Sequence, residues 1–185
     1  MKKEKFMTIK SERQTNFFDI CSQCEGNCCR NARPPITLKR KKIIEGYLKK
    51  QRIPVKNSFF QTAYIFPRED PEGYCVFYEK KSRKCLVHPV KPETCIAGPI
   101  TFDINMQNRK IEWYLKTQRI CPLAGALYKN KELLEKHLKS VKKEIFRLIS
   151  ELDPEALKTI LKIEEPETFK IEENDVEKIV LEKLK

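Results

Sequence analysis

Residues 21–29 read CSQCEGNCC. Four thiols fall within one polar, turn-like stretch that runs into Pro34-Pro35, where regular structure is awkward, so the segment reads as a loop that presents sulfur. Working outward, Cys75, Cys85, Cys95 and Cys121 complete an ordered series with Cys21, Cys24, Cys28 and Cys29. The series reads as the coordination sphere of a metal centre, because several deprotonated soft ligands converging from different segments are what such a centre requires. The fold class it implies is α+β: a small cysteine-rich domain of loops and short hairpins packed against a helical C-terminal third. Nothing else in the chain assembles a reactive site. There are two histidines, no glycine loop of the phosphate-cradling kind, and no pairing of a nucleophile with a base.

An even cysteine count also suits a disulfide framework, so compartment decides between the two readings. An export signal would show a charged start, an apolar run and a small-residue cleavage site, whereas residues 1–10 give way to SERQTNFFDI. No stretch reaches the ~18–20 consecutive apolar residues that span a bilayer; the apolar patch at Ile96 is broken by Gly98 and Pro99. The expectation is a soluble, cytoplasmic protein with no membrane association. Thiols in the cytosol stay reduced outside some hyperthermophiles, and the Lys/Glu/Ile-rich composition leaves that exception open. Close Cys-x-x-Cys spacing favours metal ligation over disulfides.

At 185 residues with 40% hydrophobic content, the chain suits one domain with a modest core. Its expected parts are a cysteine-cluster region, 1–128, and a helical extension, 129–185, in the same compact unit. Charge is uneven between them. Residues 151–185 carry 6 Lys/Arg against 11 Asp/Glu, and the remainder carries 32 against 15. The cysteine-bearing body is therefore the basic part. Its lysines balance thiolate charge and suit an anionic or protein partner.

The coarse elements follow from caps and periods. Thr37 caps a helix through about Gln51, with Leu38, Ile44, Tyr47 and Leu48 near one face and lysines on the other. After Pro54, SFFQTAYIFP reads as a short strand. Between Gly73 and His88 two apolar runs flank EKKSRK, and a hairpin centred near Lys80 sets Cys75 directly across from Cys85. ITFDINM and KIEWYLKT form a second hairpin around Gln107-Asn108-Arg109, ending just before Cys121. From about Lys129, Leu134, Leu138, Val141, Ile145, Leu148 and Leu152 recur at helical spacing as core. Asp153-Pro154-Glu155 starts another helix through about Lys162. An extended piece near Phe169 to Ile171 and a final helix from Asp175 follow.

Glycines track the cysteines. Of five in the chain, four lie within four residues of a cysteine: Gly26, Gly73, Gly98 and Gly125. Glycine permits positive φ and close approach of backbone N–H groups to sulfur. Pro89, Pro92, Pro99 and Pro122 stiffen the later segments. Each alone is an ordinary turn signal; the co-location carries the argument.

The pieces CSQCEGNCC, CVFYEKKSRKCLVHPVKPETCIAGP and RICPLAG, in this order, resemble the YkgJ-like cysteine-cluster proteins of CxxCxxCC type. The resemblance spans about residues 21–125 and uses all eight cysteines. It implies metal chelation, with zinc and iron both open. Lys91 stands where the family commonly has arginine, His88 where tyrosine is frequent, and the first loop carries one extra residue between Cys24 and Cys28. A similar motif occurs in flagellin lysine N-methylases, which implies that the module can serve a protein-modifying enzyme. This chain has no recognisable S-adenosylmethionine site, and analogy of fold does not supply one.

Eight thiolates exceed one tetrahedral site. They suit two four-cysteine sites, one iron-sulfur cluster with spare cysteines, or a multinuclear centre, and adjacent Cys28 and Cys29 could face different sites. An iron-sulfur cluster, [4Fe-4S] included, is favoured over zinc because Cys121-Pro122 has the Cys-Pro form of cluster proteins and clusters draw thiolates from scattered segments. The roles open to such a centre are redox, metal handling or support of an enzyme. A zinc-stabilised module that binds nucleic acid or protein is the alternative suggested by the basic body, although no reader motif is present. A methylase-like modifier is another. No residue takes a catalytic role by its type and position. His88 reads as a turn residue near a thiol, and His137 as a satisfied boundary histidine. Trp113, Tyr114 and Phe59-Phe60 read as core or strand.

Overall fold

Thr37 opens a helix as its position requires. Its hydroxyl accepts a bond from the Arg40 N–H at 3.0 Å, satisfying one of the amides that the first helical turn leaves unpaired. The helix α1 runs Leu38–Lys50 in this computed structural model, which describes residues 20, 21, 24, 26–54, 56–165 and 167–185. Ile44 and Leu48 are its buried apolar residues, but Leu38 stays 67% exposed. At ~3.6 residues per turn Leu38 lies off the Ile44–Leu48 stripe, so its expected place on the apolar face is corrected.

The aromatic stretch forms two strands where one is expected. β1 (Phe59–Gln61) and β2 (Ile65–Pro67) pair antiparallel with Phe60 opposite Phe66, and the Thr62 N–H bonds to the Tyr64 carbonyl at 3.0 Å in the turn. The turn escapes notice in sequence because Thr-Ala-Tyr lacks Gly, Asn, Asp or Pro.

The cysteine hairpin also differs. β3 (Tyr78–Glu79) pairs with β4 (Lys84–Cys85), and Cys85 faces Tyr78 rather than Cys75. A tight turn, closed by the Tyr78 N–H to the Cys75 carbonyl at 2.8 Å, holds Cys75 outside the hairpin. There it forms an isolated bridge with Glu69.

The short helix α2 (Glu93–Ala97) carries Cys95 and leads through a cis Gly98-Pro99 bond into β5 (Ile100–Asn105). β5 pairs with β6 (Lys110–Lys116) as expected, Phe102 opposite Trp113. α3 (Pro122–Lys129) then gives way to α4 (Lys131–Glu151) at Asn130, which ends one helix and caps the next by accepting from the Leu133 N–H at 3.0 Å. α5 (Pro154–Ile160) begins at Asp153, whose side chain accepts from the Ala156 N–H at 2.8 Å.

The C-terminal third is less purely helical than expected. The extended piece grows into β7 (Thr168–Asp175), which pairs with β6 and completes a sheet ordered β5-β6-β7 before α6 (Lys178–Leu184). Trp113 faces Glu172 and Tyr114 faces Lys170, so Ile171 is one residue extra on β7. Such a bulge locally bends and twists the strand. Ion pairs tie this acidic segment to the basic body: Lys110–Asp175 at 2.7 Å, Lys170–Glu112 at 2.9 Å and Lys142–Glu172.

Two apolar cores result. The larger contains Trp113, Leu115, Leu127, Val141, Ile145, Leu148 and Leu157, and the smaller contains Ile44, Leu48, Phe77 and Val87. Trp113 is fully buried, edge-on to Phe146 at 5.8 Å, with its indole N–H donating to Asn174 at 2.9 Å. Cys21 and Cys121 border the larger core and Cys75 and Cys85 the smaller.

Candidate metal centre

Gly26 shapes the first cysteine loop. At φ 75° it occupies the left-handed region, and a Cβ there would lie 2.5 Å from Tyr78 Cζ, so glycine is required for both conformation and space. Behind it a turn of 3-10 helix, Asn27–Cys29, is closed by the Cys29 N–H to the Gly26 carbonyl at 2.7 Å. The Cys24 N–H bonds to the Cys21 carbonyl at 3.1 Å, keeping those two residues in one turn. Gly73 also has positive φ, 84°, whereas Gly98 does not. Gly125 lies within helix α3. The positive φ expected of these glycines is therefore met at the first two positions.

A short backbone ladder joins this loop to the second segment. The Cys75 N–H bonds to the Cys29 carbonyl at 2.8 Å, and the Asn31 N–H to the Gly73 carbonyl at 2.7 Å, with Arg30 and Tyr74 bridged between them. Cys85 lies at the end of β4, Cys95 within α2, and Cys121 at the start of α3. All eight cysteines are free thiols, seven half-buried and Cys28 exposed. Cys21 and Cys121 pack against the larger core, Cys75 and Cys85 against the smaller.

Their ionisation shows which thiols are neighbours. Burial pushes the Cys21 thiol up; Lys91 opposes that, while Cys28, Cys121 and Cys24 add to it. Cys121 is raised by burial against the pull of the Ala124 and Leu123 amides, and Cys28 and Cys24 repel it further. Burial pushes Cys75 up to about 12, with Cys85 and Cys28 contributing. Cys95 is raised well above the ordinary thiol range by burial, then by Cys75 and Cys28. Burial also raises Cys85, with Lys91 lowering it and Cys28 raising it. Cys28 itself is lowered, chiefly because the Cys29 thiol donates to its sulfur, and Cys29 is raised by the same bond. Cys28 is thus the common neighbour of the set.

Lys91 is the cation that recurs at these thiols, lowering Cys21, Cys28, Cys85 and Cys95. A positive charge among thiols favours their anionic form, the form that binds metal. Among the described residues no three His, Cys, Asp or Glu side chains stand ready to hold one ion. The residues form a neighbourhood of thiols rather than a finished coordination sphere. The donor set fits soft-metal chemistry, zinc and iron-sulfur alike.

Two groups escape the sequence reading. Tyr78 covers Gly26, stacks on Tyr74 at 5.3 Å, and is raised by burial and then by Cys29; only its place between two cysteines hints at this. Glu93, fully buried two residues before Cys95, accepts from the Thr37 hydroxyl at 2.9 Å and faces Arg40 at 3.5 Å. Arg40 also donates to Glu144 at 2.5 Å. Burial pushes the Glu93 carboxyl up, its bonds and Arg40 pull it down, and Glu93 Oε2 has no hydrogen-bond partner. Glu-Thr-Cys alone gives no sign of a partner 56 residues away.

His88 begins a short turn through Val90, and its imidazole is lowered by burial and by Lys91. His137 Nε2 lies 3.1 Å from the Ala97 carbonyl and 3.2 Å from that of Gly98, consistent with a satisfied boundary histidine. Outside the thiols, a cavity of about 250 Å³ is lined by Arg33, Phe60, Phe66, Arg68 and Glu69. No helix among the described residues is long and apolar enough to cross a membrane.

The sequence profile of CxxCxxCC, "Putative zinc- or iron-chelating domain", matches residues 20–122. An uncharacterised protein of Methanocaldococcus jannaschii, MJ0661, is 31% identical over 103 residues, covering 52% of this chain and 54% of its own length. The chain thus spans about half the length of that relative. No solved structure matches.

Proposed function

Since this chain belongs to the CxxCxxCC family of zinc- or iron-chelating domains, we propose that Cys21, Cys24, Cys28, Cys29, Cys75, Cys85, Cys95 and Cys121 hold a metal centre, with iron-sulfur favoured over zinc. The observation that carries the reading is the gathering of these thiols around Cys28, with Lys91 as a shared counter-charge. Bound iron-sulfur would supply one-electron chemistry, and zinc would supply structural cross-linking. The chain's own part is to deliver thiolates from four segments and to exclude water with two apolar cores. Tyr78 covers the Gly26 turn beside them.

The preference for iron-sulfur rests on half-buried thiols from scattered segments and on Cys121-Pro122 opening α3. The role that follows is redox, metal handling or support of a modifying enzyme, in a soluble cytoplasmic protein. A partner of anionic or protein type suits the basic body. The test is anaerobic purification with metal and sulfide analysis and a visible spectrum. Iron with equivalent sulfide and a broad visible absorption supports the cluster; a colourless protein that holds only zinc after anaerobic reconstitution overturns it.

A further inference from the structure

The cavity outside the thiols pairs aromatic rings with cations. The Arg68 guanidinium sits over the Phe60 ring at 5.1 Å, and that of Arg33 over the Phe66 ring at 5.8 Å. The two rings meet edge to face at 5.7 Å across the β1–β2 ribbon. Phe66 is buried there, whereas Phe60 is 46% exposed. Thr62 and Glu69 complete the lining.

The polar groups of this wall are incompletely matched. Arg68 donates its Nε–H to the Phe59 carbonyl at 3.2 Å, which holds the guanidinium beside the ring, and it has no carboxylate partner among the described residues. Arg33 pairs with Glu69 Oε2 at 3.1 Å, while the buried Glu69 Oε1 has no hydrogen-bond partner. An exposed ring, a guanidinium without an anion and a carboxylate oxygen without a donor thus border one space of about 250 Å³. A ligand that answers all three is flat, anionic and carries an N–H. Nucleobases stack on aromatic rings and guanidinium planes, phosphate oxygens pair with arginine, and base N–H groups donate to carboxylates. A bare phosphate leaves the ring and the oxygen unmet, and the side chains of an acidic peptide would set like charge against Glu69. The surroundings suit a polyanion, since the chain outside residues 151–185 carries 32 Lys/Arg against 15 Asp/Glu.

We infer that this cavity receives a base of a single-stranded nucleic acid, with Phe60 and Arg68 as its stacking platform and the Arg33–Glu69 pair at the base edge. A duplex does not fit the same role, because its bases are already stacked on one another and offer no face to Phe60. The inference gives the basic body a partner and is independent of which metal the cysteines hold.

The test is fluorescence anisotropy on the full chain as purified anaerobically, with labelled RNA and DNA strands of about twelve nucleotides. At low salt the single strands are expected to bind more tightly than the duplex of the same sequence. Phe60→Leu keeps apolar bulk but removes the ring, and should weaken binding roughly 5- to 150-fold, the worth of one base stack. Arg68→Gln should weaken it too, and should lower the slope of log affinity against log salt by about 0.7, one phosphate on a single strand. Circular dichroism checks folding, and Arg68→Gln carries the comparison should Phe60→Leu unfold. Unchanged affinity in these variants, a duplex bound as tightly as the single strands, or no binding at low salt overturns the inference. Displacement by a free mononucleotide with the affinity of the strand also overturns it, in favour of a free nucleotide. Metal content measured on the same sample keeps failure of the metal-binding reading distinct from failure of this one.

Discussion

The Thr37 hydroxyl donates to Glu93 at 2.9 Å, joining the cap of α1 to the helix that carries Cys95. Arg40 then links Glu93 to Glu144 on α4. The network is almost wholly buried, so its value depends on complete pairing. Arg40→Met should strand two carboxylates and cost about 3–5 kcal/mol, whereas Glu93→Gln, which retains an acceptor for Thr37, should cost only about 1 kcal/mol. Urea unfolding of the two variants makes the comparison. Equal midpoints would show that the pairing contributes little.

Gly26 and Tyr78 form a second coupled pair. Gly26→Ala introduces a Cβ at 2.5 Å from the Tyr78 ring on a left-handed backbone, costing about 1–2 kcal/mol from conformation alone and more from the clash. Tyr78→Ala in the same chain should return the steric part, leaving the conformational part. A double-mutant cycle on thermal unfolding measures this; strict additivity of the two substitutions would refute the contact.

Removing the charge of Lys91 should weaken metal binding on the order of fivefold, equivalent to about 1 kcal/mol, the scale of a solvent-screened ion pair. Lys91→Arg should preserve affinity and Lys91→Gln should lose it, with competition against a chelator as the measurement. Matching affinities in the two variants would remove Lys91 from the electrostatics of the site.

Acid should loosen the β6–β7 seam before the rest of the fold. The Tyr114 hydroxyl and Lys170 hold the Glu112 carboxyl below its ordinary range, and Lys142 does the same for Glu172. Carboxyls depressed by folding contribute stability that is present above the unfolded value of about 4.3 and is lost as pH falls through the folded one. The expected result is faster amide exchange in β7 and altered Trp113 emission below about pH 4, since Trp113 bonds to Asn174 on that strand. Uniform exchange across the sheet would contradict the assignment.

Local signals predicted local structure well. Thr37 and Asp153 act through caps that reach only three residues, and the α4 stripe repeats a single period, so each is visible in a short window. The hairpin from Gly73 to His88 shows where that window fails. Apolar runs locate its two arms, but the tight turn from Cys75 to Tyr78 shifts the pairing by three residues. β7 reads as a short piece because half of its residues are charged; its length comes from the edge that β6 offers it. The cysteines were visible as a set, whereas Tyr78 over Gly26 and Arg40 beside Glu93 are long-range contacts with no local trace.

The order of the chain sets a schedule for its assembly. Every cysteine precedes β7 in sequence, yet β7 borders the sheet beside Cys121: it pairs along β6, and the Thr117 N–H bonds to the Glu167 carbonyl at 2.9 Å just ahead of it. On the ribosome every thiol is therefore synthesised before the strand that completes the sheet. The third strand of the sheet can pair only after every cysteine has been synthesised, so sheet completion and thiol availability are separated in time.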